Sequence, residues 1–204
     1  MESFASFLHE LELADWSPAG HIDPRVPRLL AEIGRRPALI RDIVGSWDPA
    51  SLEKRQLRCH ETSTHYKWFI HYHQNLRYRV WLHQYKAKDQ RKRGYAEVPH
   101  NHRYSLASVI LRGGFAHHSY VRDANGLAEL AEACKSYVQG DAYIIEWQQI
   151  HKLADVDDHT VTLVVESPVV RHFSEAFYDD SGQPNRFYDF VELHSSLLDE
   201  MAPL

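Results

Sequence analysis

The 204-residue sequence has only two cysteines, Cys59 and Cys134. Two cysteines are too few for the disulfide framework of a small secreted domain, so we expect free thiols in a reducing compartment. An apolar stretch of 18 residues is also missing, which argues against a transmembrane helix. The N-terminal residues carry acidic groups instead of a basic segment, so the pattern predicts no secretory signal and a cytoplasmic protein.

An excess of positive charge is absent as well. The chain has 23 Lys and Arg against 28 Asp and Glu, which gives a net charge of −5. One dense basic run, residues 86–93, is interrupted by other residue types and is typical of a solvated loop. We therefore expect no nucleic-acid partner and no membrane partner.

Apolar residues at helical spacing occupy the first quarter of the chain, and turn signals separate them. They predict helices at residues 2–13, 23–34, 37–44 and 51–57. We expect these helices to pack on the body of the domain.

Short β-rich runs separated by turn residues begin at Thr64. They predict strands at residues 66–72, 76–85, 106–111, 115–121, 142–147 and 161–165. Residues 127–137 interrupt this pattern as a helix or wide turn, and residues 187–198 read as a C-terminal helix. A succession of short strands favours a β-sandwich or small barrel, and we expect one domain over residues 1–204.

Histidine is abundant, with 15 residues, so a single histidine carries little information and only spacing is informative. His100 and His102 stand one residue apart before an apolar strand. Because alternate residues of a strand share a face, this pair can direct two imidazoles to one point. The pattern predicts half of a metal site.

The surrounding spacing resembles the cupin motifs. Five residues separate Gly94 from His100, and ten separate His102 from Gly113, as in the first motif of cupins. Ten residues also separate Gly140 from His151, which is the distance to the metal-binding histidine of the second motif. This resemblance implies a mainly β fold, the cupin double-stranded β-helix (a jelly-roll-like small barrel), with N-terminal helices outside and a C-terminal helix. It places the helical segment at residues 1–60, the barrel at 64–182 and a helical tail at 183–204.

The glutamate of the first cupin motif is missing, since Leu106 or Ala107 stands in its place. A vestigial, metal-free site is one reading of this loss. However, all three imidazole positions remain, which favours an intact site of three histidines.

A cupin with three histidines and no glutamate resembles the thiol dioxygenases, the cysteine dioxygenase group. Further segments are similar: Pro99–His102 with Ser105, residues 150–155, residues 162–168 and residues 177–182. The resemblance implies a mononuclear Fe(II) site held by His100, His102 and His151.

The substrate-reading residues depart from that family. Its substrate-facing tyrosine falls at Glu166, and its carboxylate-binding arginine falls near Trp68, with Lys67 as the nearest cation. Glu166 is open to four roles: partner of a substrate cation, general base, extra metal ligand, or structural partner of Lys67 or Arg79. Tyr104 is a further candidate for the mouth of the site, with a surface role as the alternative.

These features predict an iron-dependent oxygenase that oxidises a small amino-acid-like or thiol substrate, other than plain cysteine, with O2. A carboxylate-free ligand set argues against a 2-oxoglutarate enzyme. Glu166, with Lys67 or Arg79, and Tyr104 would orient the substrate. The alternatives are a non-oxidative metal-dependent cupin (isomerase, lyase or decarboxylase) and a metal-poor ligand-binding cupin. We expect a monomer or a homodimer.

Overall fold

A computed structural model describes residues 3–17, 19–92, 97–124, 128–131, 134–178 and 184–188. Four helices come first in the chain: α1 (Phe4–Glu12), α2 (Arg25–Gly34), α3 (Pro37–Gly45) and α4 (Pro49–Gln56). Polar N-caps begin two of them, since the side chains of Ser3 and Asp48 accept hydrogen bonds from the amides of Ser6 and Ser51. All four predicted helices are confirmed within a few residues.

Twelve strands follow in the described residues. They are β1 (His60–Glu61), β2 (His65–Tyr72), β3 (Arg79–Tyr85), β4 (Leu106–Arg112), β5 (Gly114–Arg122), β6 (Ala128–Leu130), β7 (Lys135–Val138), β8 (Ala142–Ile145), β9 (Ile150–Ala154), β10 (Val161–Glu166), β11 (Phe173–Ala176) and β12 (Asn185–Tyr188). The six predicted strands are all present.

Two antiparallel sheets carry ten of these strands. The first has the order β1-β2-β3-β10-β4-β8, and in the second β5 pairs with β6, β7 and β9. β11 and β12 form a separate hairpin, joined to the second sheet by bridges from His100 to both His151 and Ala176. The prediction of a mainly β fold with external N-terminal helices is confirmed.

Strand alternation divides the interior into two apolar clusters. One face of the first sheet, with Val80, Leu82 and Val109, packs against buried residues of α1 and α2. The opposite face, with Trp81 and Ile110, packs against Phe115, Leu153 and other residues between the two sheets. A cavity lined by residues of this second cluster, among them Leu106 and Leu153, lies on this inner side.

Three segments differ from the sequence predictions. Residues 128–130 and 135–138 form strands β6 and β7, although residues 127–137 read as a helix or wide turn. Phe187 and Tyr188 lie in β12, where a helix was expected. The remainder of the predicted C-terminal helix and Gly94 lie outside the described residues. None of the helices in the described part of the chain has the length and apolarity needed to cross a membrane.

Gly113 makes the turn between β4 and β5 with a φ of +73°, a backbone conformation that favours glycine. An added methyl group would also clash with Thr160, whose hydroxyl lies 3.2 Å from the Gly114 carbonyl oxygen, to which it donates a hydrogen bond. We expect Gly113→Ala to lower the free energy of unfolding by about 2–4 kcal/mol. Gly45→Ala is the matched control, because open space surrounds this helical glycine. Chemical denaturation should show it unchanged or stabilised by up to about 1 kcal/mol, and equal losses in both variants would contradict the explanation.

Candidate metal centre

Three histidines converge in the lining of the cavity between the sheets. His100 and His102 precede β4, and His151 lies on β9, which is joined to His100 by a two-way backbone bridge. One ring nitrogen from each lies within 4.8 Å of the others, and the Nε2 atoms of His102 and His151 are 2.9 Å apart. This separation suits two imidazoles bound to one ion at metal–nitrogen distances of about 2.0–2.1 Å.

The three rings are held in the neutral form that metal binding requires. Burial lowers the pKa of His100 to about 4 and holds the pKa of His102 and His151 well below the ordinary value. The charges of Lys67 and Arg171 also lower the pKa of His102. The Nδ1 of His100 donates to the Val98 carbonyl at 2.8 Å, which leaves Nε2 with its lone pair. This donor set fits a transition metal such as iron, copper, nickel or zinc.

The positions at which the motif has its glutamate, Leu106 and Ala107, supply no carboxylate ligand. Leu106 lines the cavity, while Ala107 lies on the opposite face of β4 in the helix-side core. Among the described residues, the group of metal-binding side chains consists of the three histidines alone.

Glu166 ends β10 on the inner face and is 1% exposed. Its Oε1 accepts a hydrogen bond from Lys67 Nζ at 3.0 Å, and its Oε2 lies 3.8 Å from Arg79 Nη1. Burial alone would raise the pKa of Glu166, but the charges of Lys67 and Arg79 outweigh it and the pKa is lowered. Tyr104 also hydrogen bonds to this carboxylate. Glu166 therefore connects the three other residues predicted to orient a substrate.

The cavity has a volume of about 220 Å³. Lys67 and Tyr104 line it together with the three histidines, whereas Glu166 and Arg79 are not among its lining residues. Two histidines that the motif comparison did not single out, His65 and His83, also line it. His65 stands two residues before Lys67 on β2, and His83 stands two residues after Trp81 on β3. Because alternate residues of a strand share a face, this spacing was the sequence signal that could have placed both histidines in the cavity.

His117 is a further buried histidine, on β5. Its ring stacks on His151 with centroids 5.1 Å apart. Its neighbour His118 is partly exposed and is not among the cavity residues. One of the pair therefore faces the interior, as alternation on a strand predicts.

A polar clamp holds Asn101, the residue between the two motif histidines. The Oε2 of Glu175 accepts hydrogen bonds from Asn101 Nδ2 at 2.8 Å, Arg122 Nη2 at 2.6 Å and Arg171 Nη1 at 3.3 Å. Arg171 also donates to Asn101 Oδ1 and, at 3.3 Å, to the carbonyl oxygen of His102. Burial acts to raise the pKa of Glu175, but these partners lower it, so the carboxylate is charged at neutral pH.

We expect Glu175→Gln to weaken metal binding by about 10–100-fold, because loss of the charge loosens the backbone that carries His100 and His102. Competition with a chromogenic chelator measures this affinity. Glu129→Gln, on the exposed strand β6, is the control and should bind metal like the unmodified protein. Equal affinities in both variants would show that the clamp does not position the ligands.

Comparison with known proteins shows that no protein-family model matches the chain and that no curated protein is similar in sequence. Several solved structures match part of the chain. KdgF from Halomonas sp. is 12% identical, with a TM-score of 0.39, and the match covers 54% of this chain and 86% of KdgF. Ectoine synthase from P. lautus is also 12% identical, with a TM-score of 0.39 and coverages of 54% and 69%. A mutant oxalate decarboxylase from Bacillus subtilis is 9% identical, with a TM-score of 0.40, and the match covers 71% of this chain and 34% of the decarboxylase. At these values the likeness assigns no activity.

Proposed function

We propose that the protein is a cytoplasmic, mononuclear non-haem Fe(II) oxygenase that oxidises a small amino-acid-like or thiol substrate with O2. The observation that carries this proposal is the convergence of three neutral imidazoles without a carboxylate ligand among the described residues. Imidazole sets accept several metals, and the resemblance of the ligand pattern to thiol dioxygenases favours iron.

His100, His102 and His151 would hold the ion on one side of the cavity. Bound Fe(II) would supply open coordination positions at which substrate and dioxygen meet. The protein's own contribution is placement, since Lys67 and Tyr104 stand in the cavity wall and Glu166 fixes both side chains. Leu106, Ile145 and Val164 add an apolar wall that excludes water from the reacting groups.

Metal analysis and oxygen uptake test the proposal. Protein purified without oxygen and loaded with Fe(II) should hold one iron per chain. It should consume O2 only when a substrate from a panel of thiols and amino acids is present, and zinc-loaded protein should consume none. Labelled O2 then shows whether one or two oxygen atoms enter the product.

Two other results would contradict it. Turnover that continues without O2 on a redox-inert ion would identify a non-oxidative metal enzyme. Ligand binding by a protein that takes up no metal would identify a binding protein.

A further inference from the structure

A second and larger cavity lies on the opposite face of the first sheet from the metal centre. We call it the outer groove, and it is lined by Leu82 and Val161 of the sheet and by Ile40 and Leu52 of helices α3 and α4. Its volume is about 730 Å³. Leu82 belongs to the helix-side core, and none of the three metal-binding histidines lines this groove. The outer groove is therefore separate from the metal cavity.

The floor of the outer groove is a mostly apolar row across neighbouring strands. Trp68 of β2 is paired with Leu82 of β3, and Val161 of β10 is paired with Gln84 of β3. Directly paired residues of adjacent strands share a face, so these side chains lie beside one another under the helices. The Gln84 side-chain oxygen already accepts a hydrogen bond from Trp68 Nε1 at 3.0 Å. The floor therefore presents apolar surface to the groove.

The helical wall continues this apolar surface. Pro37, Ile40, Arg41 and Val44 line the groove from α3, and their spacing of three, four and seven residues puts them on one face of the helix.

Parts of the groove are open to solvent. Val44 is 40% exposed, Leu52 of α4 is 44% exposed and Trp68 is 37% exposed. Apolar side chains exposed next to one another mark a binding surface, whereas scattered ones are ordinary.

A β-bulge adds a cation to the floor. Val161 of β10 is paired with Arg112 of β4, but the next pair joins Thr162 to Ile110. Leu111 is therefore an extra residue in β4. Regular alternation would direct Leu111 and Arg112 to opposite faces, whereas a bulge redirects a side chain, and both residues line the outer groove.

The charge of the outer groove favours an anion. Arg112 and Arg41 line it from opposite walls, and none of its lining residues in the described part of the chain is acidic. Arg112 is exposed and forms no ion pair within the described residues. Arg41 Nε lies 3.6 Å from Asp42 Oδ1, but this pair is 80% and 69% exposed and contributes little. An ammonium group in the groove would meet two like charges.

We propose that the outer groove binds an amphipathic carboxylate, a medium-length hydrocarbon chain with one anionic head group. The chain lies over Leu82, Val161 and Trp68, and the carboxylate meets the guanidinium of Arg112, which matches it in shape and charge. The volume falls within the roughly 300–1,000 Å³ of ligand pockets. This site depends neither on the metal nor on the proposed oxygenase activity, because it lies on the other face of the sheet.

Binding of three ligands with the same hydrocarbon chain tests the site. Octanoate, 1-octanol and octylammonium are titrated calorimetrically into metal-free protein. Octanoate should bind as one molecule per chain and about tenfold or more tightly than the other two, because hydrogen bonds between charged groups are the stronger kind. Hexanoate should bind about tenfold more weakly than octanoate, since each buried CH₂ group contributes about fourfold in affinity.

Substitutions in the groove should remove this pattern selectively. Arg112→Gln should reduce the preference for octanoate over 1-octanol to less than about threefold and leave 1-octanol binding unchanged. Val44→Asp, at an exposed position of α3, should weaken octanoate binding by about tenfold or more, because it adds a like charge. Arg28→Gln is the matched control, since this exposed arginine of α2 lies outside the groove lining, and it should keep the full preference. Thermal unfolding shows that each variant is folded.

Three results would overturn the inference. In the first, octanoate is preferred less than about twofold, or Arg112→Gln keeps the full preference. In the second, the preference survives in Arg112→Gln and disappears in Lys67→Met, which would place the carboxylate in the metal cavity. In the third, sedimentation shows a dimer that Val44→Asp dissociates and saturating octanoate does not, which would assign the outer groove to a second copy of the chain.

Discussion

Replacement of His151 by alanine should reduce the metal content of the protein to less than about a tenth of the unmodified value, with a loss of affinity greater than 100-fold. Among the described residues His151 is one of three candidate ligands, and its Nε2 lies 2.9 Å from that of His102. The two histidines that remain leave the ion without the third bond that fixes its position. Metal analysis after reconstitution with Fe(II) or Zn(II) and removal of free ions gives the result.

His118→Ala provides the comparison, because this histidine is on the adjacent strand β5 and lies outside the cavity lining. It should retain a full complement of metal. His151 is 3% exposed, so its truncation also leaves a cavity, and thermal unfolding of both metal-free variants must show that they fold. A folded His151→Ala variant with normal metal content would show that the three histidines are not the metal centre.

Local patterns were sufficient to predict the grouping of the three histidines and much of the fold. His100 and His102 were expected at a strand entrance and lie in the segment before β4, one residue apart. Motif spacing relates the pair to His151, which is 49 residues beyond His102. Val80 and Leu82 alternate with Trp81 and face the helix-side core, as a strand between two environments requires.

The remaining features depend on which strands become neighbours, and no local pattern contains that information. His65 and His83 meet only because β2 and β3 pair in a register that includes a shift between Phe69 and His71. Asn101 and Glu175 are 74 residues apart and meet through the hairpin of β11 and β12. Residues 128–130 and 135–138 become strands by pairing with β5, which overrides their weak intrinsic preference.

Glu166→Gln should lower the free energy of unfolding by about 3 kcal/mol at neutral pH. The carboxylate pairs with two cations whose side chains are only 17% (Lys67) and 27% (Arg79) exposed. Removal of one member of a buried ionic group leaves the others without a counter-charge, which is among the largest costs of a single substitution. Denaturant titration of the metal-free protein isolates this effect from metal binding.

The pH dependence of this loss follows from the lowered pKa of Glu166 in the folded protein. A group whose folded-state pKa is depressed stabilises the fold above its unfolded pKa, and the contribution disappears as the pH falls through the folded value. The difference between the unmodified protein and Glu166→Gln should therefore be largest at neutral pH and shrink below about pH 4.5, the ordinary value. Glu53→Gln on α4 is the control, because its side chain is exposed, and should change stability by less than about 0.5 kcal/mol. If both variants are equally stable at neutral pH, Glu166 does not hold Lys67 in the cavity wall, and another group must fix the position of Lys67.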